Sequence, residues 1–351
     1  MTHEFKNIIE AYQLARHVGL KAVLATVVSV DGSSYRGAGV RMLVLQNQQI
    51  VGAISGGCVE KEVVQQSLSV FATGLPKMMT YDGRFRLGCE GTLYVLLEEF
   101  SIEENETIQI VSALNDREEF FINSYYSLDE KKTQKGSFLQ LKEGLIIPFS
   151  KNRLQKENEI NYKIFSEKMM PNFRLIIIGT EHDAVSLCKQ ASNLGWEILI
   201  MASPDSKKEK EQFVGASELL KLSPENFMIP RIDNQTAFVL MNHNYAKDLL
   251  YLKALKDSQP CYIGLLGPLK RKEQILSAFI EYHLEVEDKF LDAIYGPAGL
   301  DIGGETPEEI AISILSEIIT VSRNKKAYHL QDKKGSIHNR SWKQINSANA
   351  K

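Results

Sequence analysis

The sequence predicts an α/β protein in two parts: an N-terminal mixed α/β domain, then a doubly wound parallel sheet. Three observations predict it. The 351 residues suit two domains of ordinary size better than one. Strand-length apolar runs alternate with helical patterns through the second half. One of these runs, Arg174 to Ile178, ends in Gly179, as a buried parallel strand does where it turns into a helix.

In order along the chain, helical spacing covers Phe5 to His17, followed by strands at Ala22 to Val30, Val40 to Leu45 and Ile50 to Ala53. The turn Gln46-Asn47-Gln48-Gln49 makes the last two a hairpin. Val59, Val63, Val64, Leu68, Val70 and Phe71 recur at helical spacing, with Gly74 and Pro76 as the stop. Strands are expected near Lys77 to Tyr81 and over Thr92 to Leu97. From Ser101 to about Ser166 the pattern reads as short strand pieces, Glu119 to Tyr126 and Ser137 to Pro148, parted by polar runs. Ser150 to Glu159 is charged and aperiodic, a linker or exposed excursion.

The second half continues with a helix over Asp183 to Leu194, strands Trp196 to Met201 and Ala237 to Met241, and a helix over Tyr245 to Lys256. Strand Cys261 to Leu266 and a helix over Lys270 to His283 follow. In such sheets ligands bind beyond the carboxyl ends of the strands, which places Gly179-Thr180, Asn242-His243 and Leu266-Gly267-Pro268 around one crevice. His182 and His243 follow strand ends there, as ligand contacts or as packed or solvated residues. Thr306, Pro307 and Glu309 form a capping box opening a helix whose apolar face is Ile310, Ile314, Leu315 and Ile318. The glycine-rich loop Gly296 to Gly304, with Asp301, reads as a long connection or as a ligand or domain contact.

Composition sets the bounds. With 44% hydrophobic and 24% charged residues and a net charge of -3, the chain reads as an ordinary globular protein with no electrostatic case for nucleic acid or an anionic membrane. No apolar run reaches the roughly 20 residues of a membrane helix, and the first residues lack a signal-peptide core, so a cytoplasmic location is expected. The four cysteines, Cys58, Cys89, Cys188 and Cys261, form no CxxC pair and no disulfide framework. Cys188 and Cys261 lie within apolar patterns and read as core.

The chemistry-bearing segments cluster between Asp31 and Gly91. Ile54-Ser55-Gly56-Gly57-Cys58-Val59-Glu60 sets a thiol after paired glycines at the head of a helix, where unpaired N–H groups and the helix dipole favour a thiolate or a bound anion. The same spacing fits a tight turn followed by a small buried residue. Upstream, Ser33, Ser34, Arg36 and Arg41 stand among Gly32, Gly37 and Gly39, a flexible backbone with two guanidinium forks suited to an anionic group such as phosphate. Downstream, Arg84-Phe85-Arg86-Leu87-Gly88-Cys89-Glu90-Gly91 repeats arginine, glycine and cysteine.

The dinucleotide fingerprint G-x-G-x-x-G/A would fall on Gly179, Glu181 and Ala184. Its second glycine is replaced by a carboxylate that blocks and repels a pyrophosphate, and the acid expected after the following strand is missing from Met201-Ala202-Ser203-Pro204.

Taken together, Gly32-Ser33-Ser34 with Gly39-Val40-Arg41-Met42, the Ile54 to Glu60 segment and Gly88-Cys89-Glu90-Gly91 resemble the N-terminal domain of the XdhC/CoxI family. Tyr262-Ile263-Gly264-Leu265-Leu266-Gly267 and Gly299-Leu300-Asp301-Ile302-Gly303 with Thr306-Pro307-Glu308-Glu309-Ile310-Ala311 resemble its C-terminal Rossmann-like domain. The resemblance divides the chain into residues 1–166, with a strand-rich excursion in the middle, a Rossmann-like domain over 172–325 and a polar tail over 326–351.

The resemblance implies a chaperone, not an enzyme with its own turnover. Such a protein binds molybdenum cofactor (molybdopterin) and delivers it to a xanthine dehydrogenase-type molybdenum hydroxylase, in some members while a cysteine desulfurase adds the sulfido ligand. A homodimer is implied as well. Ser33, Ser34, Arg36 and Arg41 are then expected at the phosphate, with Ser55, Gly56, Gly57 and Glu60 around the ligand. Cys58 or Cys89 is expected at the molybdenum or in sulfur relay, and Gly267 and Asp301 mark the C-terminal domain's ligand face. Gly179-Thr180-Glu181 departs from the family's usual Gly-x-Gly, so NAD(P) is not expected there and the domain becomes a dimerisation or client-docking module. The competing reading is an NAD(P)-dependent oxidoreductase using the Rossmann-like domain.

Overall fold

The computed structural model describes residues 2–32, 34–83, 91–132, 134–151, 162–229, 231–333 and 345–346. The chain divides into two compact units, residues 1–171 with 333–351, and residues 172–332.

The first unit opens with helix α1 (Thr2–His17), strands β1 (Ala22–Asp31), β2 (Arg41–Leu45) and β3 (Ile50–Gly52), helix α2 (Cys58–Thr73), and strands β4 (Lys77–Asp82) and β5 (Thr92–Glu99). The strands form an antiparallel sheet in the order β3-β2-β1-β5-β4, with β2 and β3 paired as the expected hairpin. Strand β1 is apolar at nearly every position because both of its faces are covered. Val23, Ala25 and Val27 pack with Val59, Val63 and Val70 of α2, while Leu24 joins a core with α1. Helix α2 stops as its sequence requires, with Gly74 in the left-handed conformation at φ 69° and its N–H bonded to the Val70 carbonyl.

The stretch after Ser101 holds a helix as well as strands. Helix α3 (Glu104–Asn115) buries Thr107, Ile110 and Ala113 and starts with a capping box between Glu103 and Glu106. Strands β6 (Phe120–Tyr126), β7 (Gly136–Gln140), β8 (Ile146–Pro148) and β9 (Lys163–Met169) build a second antiparallel sheet. The segment expected as one strand over Ser137 to Pro148 is broken by a turn at Lys142–Gly144. Most of the expected linker, from 152 to its end at 159, lies outside the described residues.

Between these two sheets lies a buried polar layer. Arg41 Nη1 lies 2.6 Å from Glu167 Oε2 and also donates to the Gly39 carbonyl. Glu98 accepts from the Ser137 N–H at 2.7 Å. Its burial pushes that carboxyl up to about 7 against the pull of the Ser137 hydrogen bonds and nearby Arg41.

The second unit contains strands β10 (Arg174–Ile178), β11 (Glu197–Ala202), β12 (Glu218–Lys221), β13 (Thr236–Leu240), β14 (Tyr262–Leu265) and β15 (Ile294–Tyr295). They form a parallel sheet ordered β12-β11-β10-β13-β14-β15, the doubly wound order with its reversal between β10 and β13. Helices α4 (His182–Asn193) and α8 (Pro307–Ser322) cover one face. Helices α5 (Tyr245–Ala254), α6 (Leu269–Tyr282) and α7 (Asp288–Asp292) cover the other. Helix α8 begins at the capping box read from the sequence, with Thr306 Oγ1 accepting from the Glu309 N–H and the Glu309 carboxylate accepting from the Thr306 N–H. A two-residue strand, β16 (Ile345–Asn346), pairs antiparallel with β9 of the first unit.

Candidate functional site

At the head of α2 the second glycine of the pair sets the turn. Gly57 takes φ 77°, which turns the chain into the helix; a side chain there would meet nothing within 4 Å, so conformation rather than crowding favours glycine. Glu60, in the first turn of the helix, is buried, and its Oε1 accepts from the Ile54 N–H at 3.0 Å and the Ser55 N–H at 2.6 Å. That carboxylate holds the Ile54–Cys58 loop against the helix. Cys58, the first helical residue, is exposed, which decides against the small buried residue that its spacing also fitted. No side chain caps this helix start.

Beside Cys58 lies a cavity of about 370 Å³. Val59 and Leu93 give it buried apolar surface, Tyr35 and Tyr81 give it aromatic surface, and Gly56, Gly83 and Gly91 border it without side chains. Ser34 and Ser55 add hydroxyls. The expected residues Ser34, Ser55, Gly56 and Cys58 are thus brought together. Gly57 and Glu60 shape the loop. Ser33, Arg84, Arg86 and Cys89 lie outside the described residues, although Gly83 and Gly91, which flank the Cys89 segment, line the cavity.

The two arginines expected at a phosphate are engaged elsewhere. Arg36 donates to the Ala53 carbonyl at 2.8 Å and to Glu4 Oε1 at 2.6 Å. Arg41 is in the buried layer with Glu167, their side chains only 3% and 7% exposed. Neither lines the cavity. Tyr35 and Tyr81 escaped notice in the sequence. The signal available for Tyr35 was its place inside the glycine-rich loop, an exposed aromatic where small residues dominate.

In the second unit the strand ends meet as the sheet rule requires, and their polar groups satisfy one another. Asp248, buried in α5, accepts from Asn242 Nδ2 at 2.8 Å and from Arg271 Nη2 at 2.6 Å. His243 Nε2 lies 3.2 Å from Asp183 Oδ2, and Lys247 donates to Ser203 Oγ. Gly179 is required by packing, because a Cβ there would lie 2.5 Å from the Met241 carbonyl oxygen, at φ 141°. Gly267 makes room for Arg271, whose Cδ would lie 2.8 Å from a Cβ at that position. Asp301 is exposed on a loop pinned by Gly299 N–H to Glu317 and by Ser313 Oγ to the Leu300 carbonyl.

The other described thiols are inert by environment. Cys188 is buried and pushed up to about 11, and Cys261 up to about 12, both chiefly by desolvation. Among the described residues no cluster of three or more His, Cys, Asp or Glu side chains is arranged for a metal ion, and no helix is long and apolar enough to cross a membrane.

Known proteins share this architecture and these segments. The family model for the XdhC and CoxI family matches residues 15–82, and that for the XdhC Rossmann domain matches residues 175–318. A protein of Bacillus subtilis named as a probable xanthine dehydrogenase subunit is 28% identical over 85% of this chain and 92% of its own length. The molybdenum cofactor insertion chaperone PaoD of Escherichia coli is 23% identical over 92% of this chain and 90% of its own. A crystal structure described as a xanthine dehydrogenase from Bacillus halodurans superposes with a TM-score of 0.75 at 27% identity, covering 91% of this chain and 96% of that one.

Proposed function

Because the chain belongs to the XdhC and CoxI family, we propose that it carries molybdenum cofactor to a xanthine dehydrogenase-type molybdenum enzyme and holds it beside Cys58. The names of its relatives support the cargo and the client: one is a molybdenum cofactor insertion chaperone, another a probable xanthine dehydrogenase subunit. The observation that carries the location is the exposed Cys58 thiol at a cavity of about 370 Å³, within the segment matched by the family model.

The donor set fits the ring and the metal–dithiolene head of the cargo, while none of the described lining residues is a cation for its phosphate. Molybdenum cofactor has a flat pterin with hydrogen-bonding edges and a soft metal–dithiolene head. A thiol suits the metal, apolar and aromatic surface suits the ring, and glycine backbone with serine hydroxyls suits the edges. The chain's own residues position these groups: Glu60 fixes the loop through two N–H bonds, and Gly57 delivers Cys58 to the start of α2. In this reading the protein is a carrier without turnover of its own, and sulfuration belongs to a separate cysteine desulfurase.

Anaerobic purification from a molybdenum-sufficient host, with oxidised-pterin fluorescence and metal analysis, tests it. Wild type is expected to carry pterin and molybdenum, and Cys58→Ala to carry at least tenfold less. Wild type without either, and without uptake of added cofactor, overturns the proposal.

The strand order of the second unit favours one other reading, an NAD(P)-dependent oxidoreductase. Glu181 at the N-cap of α4 opposes it by setting a carboxylate where a pyrophosphate would dock. Saturable micromolar binding of NADH would revive it.

A further inference from the structure

We infer that the cavity beside Cys58 recognises its ligand by the ring, through the phenol side chains of Tyr35 and Tyr81, as a site for a planar nitrogen heterocycle of the pterin class. The inference rests on the assignment of the cargo to this cavity and adds which residues grip which part of it.

Tyr35 lines the cavity yet is 75% exposed, in a segment whose neighbours are tied down. Ser34 Oγ donates to the Arg36 carbonyl at 2.6 Å, and the Arg36 guanidinium is fixed to Ala53 and Glu4. The ring is therefore presented from a held backbone with most of its surface unused. Tyr81 is the opposite case. It packs against the core shared by α2 and the first sheet, and it pairs in register with Leu93, which also lines the cavity. Cross-strand partners put their side chains on the same face, so Tyr81 and Leu93 present adjoining aromatic and aliphatic surface.

No guanidinium, ammonium or carboxylate is among the described lining residues. Gly56, Gly83 and Gly91 border the cavity without side chains in the way, the Gly83 N–H being bonded to the Gly91 carbonyl at 3.0 Å. Among the described residues, two phenols beside apolar surface suit a flat ring with polar edges. Its volume of about 370 Å³ lies within the roughly 300–1,000 Å³ of small-molecule sites.

The test uses the full-length protein and 6-hydroxymethylpterin, which has neither phosphate nor dithiolene, with binding followed by quenching of pterin fluorescence. Wild type is expected to bind saturably and Tyr35→Leu about tenfold or more weakly, the scale of one lost aromatic stack. Tyr35→Phe, which keeps the ring, is expected to recover the affinity to within about threefold. Tyr81→Leu weakens binding in the same direction. Tyr35 is exposed, so its variants leave the core intact, which circular dichroism checks. Wild type that does not bind the pterin, or Tyr35→Leu that binds as wild type does, overturns the ring site. Uptake of whole cofactor, measured in parallel, separates the two ideas. Wild type and Tyr35→Leu loading equally well contradicts the ring site alone, whereas wild type that never loads contradicts the carrier assignment.

Discussion

Each unit sends a glycine-led turn into a helix, and the two helix starts have opposite fates. In the parallel sheet, where topology rules place ligands, Glu181 stands at the N-cap of α4, Asp183 pairs with His243, and Asp248 takes up both Asn242 and Arg271. In the mixed unit the first residue of α2 is an exposed thiol beside a cavity. The glycines differ in the same way. Gly179 is held by a close approach to Met241, while Gly57 supplies a turn in open space. Fold topology indicates where a site can form; which groups are left unspent indicates where one does.

Several substitutions break or sharpen this contrast. The largest effect is expected for Arg41→Ala, which leaves Glu167 buried and unpaired and costs about 3–5 kcal/mol. A fall in the thermal midpoint of the first unit is the expected outcome; an unchanged midpoint with weaker cargo binding would make Arg41 a ligand contact after all. Gly179→Ala forces a side chain against the Met241 carbonyl at a positive φ and is expected to cost about 1–3 kcal/mol in the second unit, while cargo binding stays as in wild type. Loss of cargo binding with intact stability would move the site to the parallel sheet.

Glu98→Gln tests the buried layer through pH. The carboxyl titrates near 4.5 in the unfolded chain and near 7 in the folded one. Its contribution to stability is therefore fully present below pH 4.5 and lost as pH rises through 7. The glutamine stays neutral, so the unfolding free energy should fall less between pH 5 and pH 8 than in wild type, by an amount on the order of 2 kcal/mol. Parallel pH profiles for the two proteins would contradict the buried, proton-holding carboxyl. Thr306→Ala, which removes the cap of α8, is expected to cost only about 1 kcal/mol, read from urea unfolding, with no effect at the Cys58 cavity.

Local patterns carried much of the fold. The hairpin at Gln46–Gln49, the Cys58 helix with its Gly74 stop, and the capping box at Thr306 are each set by residues within a few positions of one another. Helix α3 escaped because Thr107, Ile108, Ile110 and Val111 are β-branched and mimic a strand, although Thr107, Ile110 and Ala113 form its buried stripe. Strands β12 and β15 have 4 and 2 residues, too short for a period to register. At the site, glycine and cysteine spacing indicated the loop, but the engagement of Arg41 did not show, since its partner lies 126 residues away. Tyr81 was invisible for the same reason. Its place in the cavity depends on α2 and β5 arriving beside β4.

The most direct measurement of the central claim, that the cargo sits at the first unit's thiol, is site-resolved alkylation. Full-length protein is treated with iodoacetamide, with and without bound molybdenum cofactor, and modification is mapped by mass spectrometry. Cys58 should react well before the desolvated Cys188 and Cys261 in the free protein and be protected at least tenfold when cofactor is bound. Cys58 labelled at the same rate in loaded and free protein would contradict the account.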